Sequence, residues 1–180
     1  MSNRINHAKL TAKLRQKEPA WPTGSKWQSA ARVEIAPYRG RDMRPCEVLM
    51  DNPGFFFWAV EKGAFNREVW FEAQQLAYKV RGLLPPRRDP RQWCFARLIV
   101  DGILTDIRLI RTSNGAPPGY QLSRRLDLSW ASNSGVASTA AGRTVLMQKV
   151  TKWFFQGKTP SKWSIRVFFD GSSNFGPAGR

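Results

Sequence analysis

An α+β fold is what this sequence predicts: a small strand-turn-helical module ahead of a β-β-β-α-β unit with a largely antiparallel sheet. Three observations carry that expectation. Residues 67–81 repeat apolar side chains at helical spacing, between Asn66 and Gly82. Residues 93–110 hold two apolar runs around Asp101–Gly102, the strongest short hairpin signal. Between them, "PPRRDPRQ" (85–92) has the composition of a linker, so helical and sheet patterns occupy separate segments. The predicted organisation is a basic arm (1–30), a helical module (31–84), a linker (85–92) and an α+β domain (93–180).

The arm carries Arg4, Lys9, Lys13, Arg15 and Lys17 before its first acid, and it has too few apolar residues to dock firmly. It is lysine-rich with little serine, so it reads as a nucleic-acid-binding arm or a tail and not as a transit peptide. Trp21 and Trp27 follow in a loop broken by Pro22 and Gly24. They serve either to anchor that loop or to stack on bases.

"RVEIA" (32–36) alternates as a short strand would, and 37–41 follows as a turn. Pro45 opens a helical turn at a position where its missing N–H costs nothing. Asn52 then caps a second helix that ends at Gly63, with Phe55, Trp58 and Ala59 on one face. The third helix stacks Val69, Ala73, Leu76, Ala77 and Val80 into one stripe. Its acids come early and its cations late, as the helix dipole prefers.

A two-residue Asp-Gly loop pairs the flanking strands so that facing positions place Arg97 opposite Asp106 and Phe95 opposite Arg108. Cys94, Ala96, Leu98, Val100, Ile103, Ile107 and Leu109 then share the expected core face. The other face carries Trp93, Phe95, Arg97, Asp106 and Arg108 among Ile99, Leu104 and Ile110. Such a mixture of aromatics and arginines suits a single-strand binder, and equally a sheet partly covered by a helix. A third strand follows, with Tyr120, Leu122, Leu126, Leu128 and Trp130 inward and Arg124 at a rim. Residues 143–157 read as a helix packed through Leu146, Val150, Trp153 and Phe154, with Arg143, Lys149 and Lys152 on its exposed side. "KWSIRVFFDG" (162–171) alternates and closes the sheet as a strand, with Trp163, Ile165, Val167 and Phe169 on one side.

The chain is 42% hydrophobic, enough to build a core, so it is not a disordered chain. Its formal charge of +16 points to a polyanionic partner. The excess is strongest at the ends: residues 128–180 hold Arg143, Lys149, Lys152, Lys158, Lys162, Arg166 and Arg180 against Asp170 alone. Cys46 and Cys94 read as buried free thiols of a protein in a reducing, cytoplasmic compartment. The single histidine, His7, lies in the basic arm, which argues against a histidine-based triad or metal site. "GKTP" (157–160) lacks the spacing of a phosphate-binding loop. No apolar run approaches a membrane span. No catalytic residue, metal or cofactor is expected; a small metal-dependent nuclease would need Glu34, Glu47 or Asp51 to converge in three dimensions.

One stretch, "APYRGRDMRP" (36–45), sets Gly40 between two arginines behind a tyrosine. Gly40 suits a turn with positive φ, which splays Arg39 and Arg41 outward as phosphate-gripping forks. Residues 35–84 resemble the small C-terminal accessory domain of exodeoxyribonuclease X, which recurs in phage and plasmid proteins. That domain's motif reads approximately aromatic-Gly-Lys-Tyr-Lys-Gly-Lys, a short helix, Asp-Pro-x-Tyr-aromatic-x-Trp and a longer helix. Tyr38, Gly40, Pro53 and Trp58 match it, Arg39 and Arg41 stand for lysines, and Phe56 lies near its tyrosine. Ile35, Ala36 and Pro37 depart from its opening. The resemblance implies a non-catalytic module of nucleic-acid enzymes.

The expected function is therefore DNA or RNA binding by a mobile-element protein. Phosphates would meet Arg39, Arg41, Arg143, Lys149, Lys152, Lys158, Lys162 and Arg166. Tyr38, Trp93, Phe95, Arg97 and Arg108 complete the expected surface, with stacking secondary. The alternative is an inhibitor or accessory subunit that docks an acidic protein surface through aromatics ringed by arginine.

Overall fold

The computed structural model of the protein describes residues 32–87 and 89–176. The predicted arm, with Trp21, Trp27 and His7, lies outside them. The α+β class and the order of helices before an antiparallel sheet are as the sequence predicts.

Residues 32–42 form bends and turns and not the expected strand. Val33 is nevertheless buried, and its N–H donates to the Met43 carbonyl at 2.9 Å. Three helices follow: α1 (Pro45–Asp51), α2 (Pro53–Lys62) and α3 (Arg67–Lys79). Asn52 and Asn66 cap α2 and α3 by accepting from the Phe55 and Val69 N–H groups, and Gly63 ends α2 in the left-handed conformation. The α3 stripe is buried as predicted, from Val69 to Val80. Of the expected α2 face of Phe55, Trp58 and Ala59, only Ala59 is fully buried; Phe56 and Phe57 turn inward, Phe55 is half-buried and Trp58 is exposed.

Strands β1 (Trp93–Val100), β2 (Ile103–Arg111) and β3 (Tyr120–Ser123) form one antiparallel sheet in the order β2-β1-β3. The Asp101–Gly102 turn is present, with φ +51° and +76°. The expected register holds only beside it. A bulge skips Thr105, so Leu98 faces Asp106 and Arg97 faces Ile107. That extra residue switches which β2 side chains point inward, from Leu104 near the turn to Ile107 beyond it. β1 has no such switch, and its core residue is Phe95, the reverse of the face expected from alternation. Cys94 and Ala96 are buried as well, but outside the main core cluster. β3 is short and Leu122 is 44% exposed, so the long inward alternation does not form. Leu126 and Leu128 are buried as expected, but through a bridge from Leu126 to Leu83 and a short 3-10 turn that holds Leu128.

Helix α4 (Ala140–Phe154) packs along β2, with Leu146 and Val150 buried. The closing element is a helix, α5 (Lys162–Asp170), and not a fourth strand. Ser161 caps it by accepting from the Ser164 N–H at 3.1 Å. Its buried residues are Ile165, Phe168 and Phe169, at helical spacing.

The main core cluster runs from Val33 and Tyr38 through Val69, Phe95 and Leu146 to Phe169. Residues 85–92 therefore connect two halves that share this core and do not separate independent domains. α1 packs on α5, and Leu83 bridges both Leu126 and Phe175. Both cysteines are buried and free; burial pushes the Cys46 thiol up to about 12, which makes it inert.

Candidate nucleic-acid interface

The 36–42 turn is built around its tyrosine. Tyr38 is buried, donates its hydroxyl to Asp51 Oδ2 at 2.7 Å, and packs its ring 5.3 Å from Phe55. Burial, then the Asp51 hydrogen bond, raises its hydroxyl well above the usual range. Tyr38 therefore anchors the turn from below and is not available to stack on a base. Above it, Gly40 takes φ +74° with no heavy atom near a would-be Cβ. Arg39 and Arg41 are exposed, and the Arg41 guanidinium sits 5.8 Å from the Tyr38 ring centroid.

Lys162, at the start of α5, staples this turn to the far end of the sequence. Its Nζ donates to the carbonyls of Arg41 at 3.2 Å and Asp42 at 3.0 Å. A lysine in the first turn of a helix opposes the dipole, and these two carbonyls offset the conflict. Arg32 pairs with Asp42. The Arg32 hydrogen bond, with Lys162 and Arg166 adding to it, holds the Asp42 carboxyl below the usual carboxylate range. One turn along α5, Arg166 reaches the buried Glu47 carboxylate at 2.5 Å. Arg32, Lys162 and Arg166 thus gather around Asp42 and Glu47, beside the turn that carries the exposed Arg39 and Arg41.

The outer face of α5 carries what the strand reading turned inward. Trp163 is 73% exposed and Val167 is 49% exposed. Pro160 followed by the Ser161 cap, with apolar residues at 165, 168 and 169, is the sequence signal that would have found this helix.

The remaining predicted residues scatter. Phe95 is fully buried, 5.5 Å from Trp153, so it cannot meet a base. Arg97 lies 4.7 Å over Trp130 and does not pair with Asp106. Asp106 instead accepts from Arg108 at 2.9 Å, Lys149 at 2.7 Å and Tyr120 at 2.7 Å. Burial pushes its carboxyl up, but these three hydrogen bonds outweigh burial and hold it well below the usual range. Arg108 also covers the Tyr120 ring at 4.7 Å. Trp93, half-buried, receives the Arg87 guanidinium at 4.8 Å and the Arg111 guanidinium at 5.7 Å. Arg143 donates to the Ser138 carbonyl at 2.5 Å and lies against Gly54, where a Cβ would come within 2.9 Å of Nη1. Arg143 and Lys149 are thereby committed to the fold, and only Lys152 of the expected α4 cations is exposed. Lys158 is exposed in the connection between α4 and α5.

Among the described residues no three His, Cys, Asp or Glu side chains gather as a metal site, and no helix is long and apolar enough to cross a membrane. No family model matches the chain, and neither curated proteins nor solved structures provide a match.

Proposed function

We propose that the protein is a non-catalytic nucleic-acid-binding accessory protein of a phage, plasmid or other mobile element, acting in the cytoplasm. It takes DNA or RNA mainly by the phosphate backbone. The observation that carries this reading is the Arg39–Gly40–Arg41 turn, held from below by Tyr38 and from the side by Lys162. A turn fixed at both points presents its guanidiniums without a large ordering cost on binding. The charge of +16 supplies the long-range attraction. Two buried free thiols suit a reducing compartment. The mobile-element assignment rests on the motif resemblance of residues 35–84.

Fluorescence anisotropy with labelled single-stranded DNA, duplex DNA and RNA, titrated across salt, tests the reading. Binding should weaken steeply with salt. Replacing Arg39 and Arg41 together with alanine should lower the log–log salt slope by about 1.4–1.8, as two lost phosphate contacts require. Flat traces for all three ligands at about 50 mM salt would overturn it. A second reading, docking on an acidic protein surface, draws on the exposed Val100, Ile103 and Leu122 of the sheet. A partner that survives nuclease digestion in a pull-down would favour it.

A further inference from the structure

We infer that the surface formed by the 36–42 turn and α5 takes a single, unpaired strand in preference to a duplex, with Trp163 as a base-stacking platform. The inference rests on the nucleic-acid reading above. Trp163 is the most exposed of the large apolar side chains in the described residues, at 73%, and Val167 lies beside it one turn on. The fold makes little use of this indole, since α5 is held through Ile165, Phe168 and Phe169 on the opposite side.

Its neighbours decide what suits it. Lys162 precedes it and Arg166 follows at i+3, the same helical face. Lys162 is bonded to the turn that carries Arg39 and Arg41. Arg166 is held by Glu47 and Lys162 by the turn carbonyls, so the backbone contacts fall to the exposed Arg39 and Arg41 of that turn. An exposed indole on the helix stapled to such a turn suits unpaired bases. Duplex bases are already stacked on each other, and an indole reaches their faces only after they are unstacked, at a cost of a few kcal/mol. A stable protein interface needs roughly 800 Å² per partner. Two apolar side chains ringed by charge fall well short of its core.

The test compares a labelled 20-nucleotide single strand with the duplex of the same sequence, at one moderate salt concentration, on the full chain. The wild type should bind the single strand more tightly. Trp163→Ala should weaken single-strand binding on the order of tenfold and leave duplex binding unchanged. Trp163→Phe should keep most of the affinity, because a phenyl ring still stacks. Equal loss on both ligands, no effect of Trp163→Ala, or equal wild-type affinities would overturn the inference while leaving nucleic-acid binding intact. Absence of binding to either ligand would overturn the underlying reading as well. Trp163-dependent binding to phosphatidylserine vesicles, with no strand preference, would assign the face to a lipid surface and also overturn it.

Discussion

Asp106 accepts three side-chain hydrogen bonds on β2. An acid on a strand among arginines invites an ion pair, but the bulge at Thr105 gives it Arg108, Lys149 and Tyr120 instead of Arg97. Its folded-state pKa is depressed. Its contribution is therefore fully present above the unfolded value of about 3.9 and is lost as pH falls through the folded value. Asp127 and Asp170, both raised by burial, act in the opposite direction in acid. Asp106→Asn should be less stable than wild type at pH 7, with the gap narrowing toward pH 2. Urea unfolding at stepped pH measures it, and a constant gap would show that the charge of Asp106 is not what matters. Tyr38 carries the same lesson. Its position beside two arginines was visible in the sequence, but its burial over Asp51 depends on α1 and α2 closing beneath the turn.

At the scale of elements, α5 is the clearest divergence between pattern and structure. "KWSIRVFFD" satisfies period two through Trp163, Ile165, Val167 and Phe169, and helical spacing through Ile165, Phe168 and Phe169. The Ser161 cap and the apolar surface offered by α1 decide for the helix. Two substitutions separate the alternatives. Ser161→Ala should cost about 1 kcal/mol through the lost cap. Trp163→Ala should change stability by less than about 0.5 kcal/mol, as expected of an exposed site. An inward strand tryptophan would cost roughly 3–5 kcal/mol on the same change. Denaturant midpoints of both variants give the answer. Where caps and stripes agreed, as in α3 with Asn66 and its buried Val69–Val80 stripe, the element was legible in full.

For the whole molecule, the continuous core contradicts the composition of 85–92. Three prolines and three basic residues suggest a boundary, yet Leu83 on one side and Phe95 on the other are buried in one cluster. The full chain should therefore unfold in a single transition with matching calorimetric and van't Hoff enthalpies. Two resolved transitions would restore the two-domain view. The sequence by itself determined the class, the Asn52 and Asn66 caps, the Asp-Gly turn, the α3 stripe and the basic character of the chain, because these follow from composition or from neighbours within a few positions. Only the tertiary structure decided which arginines remain available. Arg143, Lys149 and Arg166 are engaged by groups far from them in the chain or packed against them, whereas Arg39 and Arg41 project from a turn whose anchors leave their side chains exposed. A side chain's availability depends on what the folded chain brings beside it. Local pattern carries no information about contacts made across a hundred residues, such as that of Lys162 with the 36–42 turn.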